Sequence, residues 1–245
     1  MAEEGKNQKS FDFLNVLGQI SLATFVGTSA FVFGSTSAEF EFKSHVNDTD
    51  IDVDAKVPFL VDFYAIVSSI VIAIVQGESL TAFRVFRHDT RLVPTLYRLP
   101  LNILALIFSI LHLIALINHP TTPNASGFSS FYSWISIILV VGYVIQALFT
   151  VYSLCFPRNS THLKNGFRPA HKVFSNALFV ITILQIFIGM SYYTEVLGKC
   201  YNKLSCKYQT DVFLNIGMVS LILYGLITST VSINSHWKVE MTKEF

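Results

Sequence analysis

The chain has 245 residues, of which 52% are hydrophobic and 13% charged, with a formal net charge of +1. A soluble domain carries about 25% charged residues, so this composition excludes an ordinary soluble domain, and so small a net charge gives no sign of a nucleic-acid partner. The charges fall between long apolar runs, which predicts an all-α, polytopic membrane protein built as one bundle.

Residues 1–10 mix acidic and basic side chains and do not read as a cleavable signal peptide, which needs a charged start followed by a short apolar core and a small-residue cut site. They are read as a cytosolic N-terminus. The apolar runs predict six transmembrane helices at 11–34, 58–83, 97–117, 129–156, 171–195 and 210–233, making a membrane domain over 11–233 with a cytosolic tail at 234–245. The longest loop, between the first two helices, carries Glu39, Glu41, Asp48, Asp50, Asp52 and Asp54 against Lys43 and Lys56. It is read as solvated surface, or as a contact surface for a basic partner or a weak cation site. Its acidic spacing lacks the central glycine and terminal glutamate of an EF-hand. The second helix holds Asp62 and Glu78, and an intramembrane carboxylate is costly unless paired. The third holds His112, read as a hydrogen-bonded interior histidine. Cys155 ends the fourth helix as a free thiol. The fifth helix follows Gly166-Phe167-Arg168-Pro169-Ala170-His171, with Pro169 expected in its first turn, where a missing N–H is tolerated.

Orientation follows from basic residues. Twelve of the 17 lysines and arginines lie on the side of the two termini, which is therefore read as cytosolic. The opposite side receives the sequons at Asn47 and Asn124, expected to carry glycans, and Cys200 and Cys206, expected to pair as a disulfide in an oxidising compartment. The sequon at Asn159 falls on the cytosolic side. The expected location is the plasma membrane or the secretory and endolysosomal system. Metal-ligand spacings, a Walker loop, a nucleophile elbow and a dinucleotide fingerprint are absent from the sequence, so no metal site and no catalytic residue is assigned.

Four stretches carry a resemblance. Arg168-Pro169-Ala170-His171 with the phenylalanine-rich helix closing on Gly189, Gly77-Glu78-Ser79-Leu80 followed by Phe83-Arg84-Val85-Phe86-Arg87, Leu101-Asn102-Ile103-Leu104-Ala105-Leu106, and Phe131-Tyr132-Ser133-Trp134 with Gln146 and Phe156-Pro157 resemble the helices of the cytochrome b561 family. The resemblance covers roughly 58–195. It implies a four-helix core of helices 2–5 holding two haems, each gripped by histidines from facing helices, and electron transfer from cytosolic ascorbate to ferric iron or monodehydroascorbate.

At the four positions where the resemblance implies histidines stand Tyr64, Arg98, Tyr132 and His171. A guanidinium keeps its proton and has no lone pair for iron, and tyrosine ligates only as a phenolate. The positions are therefore read as vestigial, with Arg98 and His171 facing each other, Glu78 as a candidate partner for Arg98, and phenylalanines 83, 108, 174 and 179 filling part of the space. The resulting expectation is a haem-free pseudoenzyme with no cofactor. It would act as an accessory or chaperone-like subunit beside another integral membrane protein, in contact with lipid, with a homodimer left open. Two alternatives stand beside it: an ascorbate-dependent transmembrane reductase with unusual haem ligation, and a lipid or sterol binder using the emptied cavities.

Overall fold

A computed structural model describes residues 2–46, 53–85, 92–117, 131–155, 161–203 and 209–233. Its side chains are described at Val93 and over 10–33, 66–82, 96–117, 131–152, 170–191 and 212–233. Among the described residues the structure is entirely helical: α1 (Ala2–Val46), α2 (Val53–Val85), α3 (Leu92–Ile117), α4 (Phe131–Cys155), α5 (Thr161–Lys203) and α6 (Gln209–Ile233). Five helices, all but α2, are long and apolar enough to cross a membrane within their described residues; the apolar part described in α2 is Ile66–Ala82. This is a multi-pass, all-α membrane protein.

The six predicted helices are present, but four are longer than their apolar runs, α3 among them since it begins at Leu92. Residues 35–46 and 53–57, expected as loop, continue α1 and begin α2, and α5 extends from Thr161 to Lys203. Apolar length fixes what lies in lipid; helix continues beyond it wherever good helix formers follow, as in Ala38-Glu39-Phe40-Glu41-Phe42-Lys43. Pro169 consequently lies inside α5 rather than in its first turn, and Cys200 lies on that helix. Asn47, Asn124, Asn159 and Cys206 lie outside the described residues.

Helices α2, α3, α4 and α5 close a ring in which each packs on the next and α5 returns to α2. The remaining two helices, α1 and α6, pair with each other and rest on α2 and α5. A single cluster binds that pair to the ring through Phe25, Ile70, Phe179, Ile186, Leu221 and Tyr224. Inside the ring, Ile72, Val75, Ala105, Leu139, Tyr143 and Leu178 form a central apolar layer. Gly142 makes that layer possible, because a Cβ there would collide with the Leu178 side chain. Phe108 and Phe174 pack on this layer as expected. By contrast, Phe179 turns outward to meet Tyr224 edge-on at 5.8 Å and belongs to the α5–α6 seam. The side chain of Phe83 lies outside those described.

Candidate functional site

Polar residues recur along the inner faces of α2 to α5 at helical spacing: Ser68, Ser69, Gln76 and Ser79; Arg98, Asn102, Ser109 and His112; Ser136, Gln146 and Thr150; and Ser175, Thr182 and Gln185. The ring sorts them into two networks on either side of the apolar layer. The end of the bundle carrying the start of α1 and the end of α6 is called the near end here, and the opposite end the far end.

At the near end, Arg98 Nε donates to Ser79 Oγ at 3.2 Å and Nη2 to Ser175 Oγ at 3.3 Å, joining α3 to α2 and α5. Ser79 donates to Asn102 Oδ1, Asn102 donates to Thr150 and Gln146 donates to Asn102. Gln76 and Gln146 exchange amide hydrogen bonds at 3.1 Å across the bundle. Gln76, Ser79, Gln146 and Ser175 are fully enclosed. In lipid such groups have no water to fall back on, so the network satisfies four helices at once.

His171 lies one turn before Ser175, the residue on the same helix that accepts from Arg98. Arg98 and His171 thus stand on facing helices, one helical turn apart through Ser175. The predicted Glu78–Arg98 pair is not formed, because Glu78 lies on the outer flank of α2 and accepts from Gln19 Nε2 of α1 at 2.7 Å. Adjacent residues on a helix point about 100° apart, so Ser79 takes the inward position and Glu78 cannot share it. His171 Nε2 is buried and has no hydrogen-bond partner, while its ring meets Phe149 edge-on at 5.9 Å.

At the far end, His112 is 2% exposed. Its Nδ1 lies 3.2 Å from Ser68 Oγ and 3.1 Å from Ser69 Oγ. Gln185 Nε2 donates to its Nε2 at 2.6 Å, and Ser136 Oγ lies 3.1 Å from the same nitrogen. With Nε2 accepting, the proton sits on Nδ1 facing the two serines, so neither nitrogen has a lone pair to spare. This is the hydrogen-bonded interior histidine expected from the sequence. Tyr132 is buried with its ring edge-on to His112 at 5.6 Å. Its hydroxyl lies 3.0 Å from where a Cβ on Gly189 would stand, so that glycine leaves it room. The side chain of Tyr64 lies outside those described, although its backbone is one helical turn from Ser68 on α2.

The residues absent from the sequence reading are Gln76, Thr150, Ser175, Gln185 and the three serines around His112. Their signal was present as polar positions three, four or seven apart in otherwise apolar spans.

Residues 64–197, more than half of the chain, match the model of the eukaryotic cytochrome b561 family. The transmembrane ascorbate-dependent reductase of Sus scrofa is 24% identical over 169 residues, covering 69% of this chain and 66% of that protein. The reductase of the same name in Homo sapiens is 24% identical over 163 residues, covering 66% of this chain and 64% of the relative. A probable ascorbate-specific transmembrane electron transporter of Oryza sativa subsp. japonica is 24% identical over 156 residues, covering 62% and 64%. The chain thus spans just under two thirds of the length of the curated relatives it matches.

These matches overturn the expectation of a chain without a cofactor, because a b-type cytochrome is by definition a haem protein. Of the residues described, His171 fits that group: its Nε2 is buried inside the matched region with no hydrogen-bond partner. Arg98 does not fit as a ligand, since it has no lone pair, and His112 has both nitrogens committed.

Proposed function

The chain belongs to the cytochrome b561 family, and we propose that it is an ascorbate-dependent transmembrane reductase with unusual haem ligation, holding haem b on His171. The carrying observation is the buried, unpartnered Nε2 of His171 within the matched region. Bound there, haem b would supply a one-electron Fe(III)/Fe(II) couple.

The chain's own residues set the conditions. Arg98 keeps a fixed positive charge beside His171, which favours the reduced state of a neighbouring centre. Its long side chain is part-exposed near the bundle mouth, so it can leave Ser175 and extend toward the interface to admit a bulky group. Phe149 and Phe174 line the approach in edge-on contact at 6.2 Å and keep water away. Arg84 at the end of α2, with Arg87 and Arg91 in the sequence between α2 and α3, attracts an anion such as ascorbate. We place this end and both termini in the cytosol on the basic-residue asymmetry, within the plasma membrane or secretory and endolysosomal system.

The accessory-subunit reading has no feature of its own among the described residues. The exposed apolar side chains of α3, α4 and α6, such as Leu111, Leu148 and Leu226, are those a lipid-facing surface needs. The test of the reductase reading uses vesicles loaded with ascorbate in an impermeant ferricyanide solution. Vesicles carrying the wild-type chain should reduce ferricyanide faster than empty ones, and His171→Ala should remove the excess. An equal rate with His171→Ala, at equal protein content, would contradict the reading.

A further inference from the structure

Where the α1–α6 pair meets α2, a small cavity opens that lies outside the ring and takes no part in the redox reading. Asn15 and Gln19 of α1, Gly77 and Glu78 of α2, and Tyr224 and Thr228 of α6 line it. Two observations call for an occupant. Glu78 lies seven residues inside the end of α2 at Val85, about 10 Å along the axis. Its carboxylate accepts from a neutral amide, Gln19, and makes no ion pair with any described residue. An intramembrane carboxylate without a counter-charge is costly. Independently, the Tyr224 hydroxyl is buried on a side chain 2% exposed, projects over Gly77 where a Cβ would collide with it, and makes no well-formed hydrogen bond, although the Thr228 side chain stands close to it.

We propose that this cavity binds a monovalent cation, with the Glu78 carboxylate as its anionic ligand and the Tyr224 hydroxyl oxygen as a neutral one. The surrounding donors are oxygens, from Thr228 and the side-chain amides of Asn15 and Gln19, and such hard ligands suit alkali or alkaline-earth ions. A single carboxylate balances one positive charge and leaves a divalent ion undercompensated. The described residues contain no group of three or more His, Cys, Asp and Glu able to hold a transition metal. The cavity is small, with room for a single occupant of about water size. A water would satisfy the Tyr224 hydroxyl but leave the carboxylate's charge uncompensated. A bound cation meets both needs and fastens α1 and α6 to α2.

Thermal unfolding of the full chain in phosphatidylcholine nanodiscs tests this. Midpoints are compared in sodium chloride, potassium chloride and N-methylglucamine chloride at equal ionic strength. A ligand that binds only the folded state raises the midpoint in a concentration-dependent way. Sodium or potassium should raise it saturably by a few degrees over N-methylglucamine. Glu78→Gln should abolish the dependence and Tyr224→Phe should weaken it. Identical midpoints in all three salts, or a dependence that survives in both variants, would overturn the proposal. Should Glu78→Gln fail to fold, the wild-type comparison and Tyr224→Phe still decide.

Discussion

Arg98 Nη2 of α3 donates to Ser175 Oγ of α5 at 3.3 Å, one turn from the unpartnered Nε2 of His171. A guanidinium thus stands at the bundle position facing the one described histidine that has a ring nitrogen to spare. This relationship makes the redox reading testable residue by residue.

Arg98→His should place a second imidazole opposite His171. The expected outcome is a haem held by two nitrogens, seen as a shift from a high-spin to a low-spin absorption and electron paramagnetic resonance spectrum. Arg98→Gln should lower the midpoint potential of the centre, because a fixed positive charge that favours the reduced state is removed. Redox titration checks the sign. An unchanged spectrum in the first variant, with unchanged potential in the second, would place the haem away from Arg98.

His112→Phe should leave haem content intact while lowering stability. The substitution removes the hydrogen bonds that Ser68, Ser69 and Gln185 make to the ring, and each such bond contributes about 0.5–1.5 kcal/mol. Thermal unfolding with haem absorbance read on the same samples separates the two effects. Loss of haem from a folded His112→Phe protein would show that the far-end histidine is a ligand after all.

The architecture was legible because its cause is simple: twenty-odd apolar residues must be helical in lipid, and six such runs stand in the sequence. The helix ends were not, since Ala2–Ser10, Ser35–Val46 and Thr161–Pro169 are polar and continue as helix through local propensity alone. At the site, the motif positions placed Arg98 and His171 on facing helices. Glu78 was misassigned because proximity in sequence hid a difference in facing: its neighbour Ser79 takes the inward position. Arg98, Asn102, His112 and Gln146 were named singly, but the networks joining them were missed because their other members, such as Gln76, Ser175 and Gln185, are ordinary serines, threonines and glutamines until four helices bring them together. Arg98 lacks a lone pair and cannot ligate iron, yet three substituted histidine positions do not remove the cofactor while His171 keeps a free ring nitrogen.

The Gln76–Gln146 exchange at 3.1 Å should show measurable coupling. Interhelical hydrogen bonds in membranes average about 0.6 kcal/mol, with a maximum near ~1.7. A double-mutant cycle with Gln76→Leu and Gln146→Leu should fall in this range. Strict additivity would mean that the two amides do not meet.

Gly142→Val should destabilise the ring. A Cβ at that position collides with Leu178 in the central layer, and overpacking a well-filled core costs about 1–3 kcal/mol. A lowered unfolding midpoint with unchanged helicity is expected. A neutral result would show that α4 and α5 stand further apart than described.

The most direct measurement is the visible absorption spectrum of the purified chain, expressed with haem supplied and recorded before and after ascorbate. The account predicts a Soret band that sharpens and an α band that appears on reduction, both abolished in a folded His171→Ala protein. A wild-type spectrum with no ascorbate-reducible haem band would contradict it.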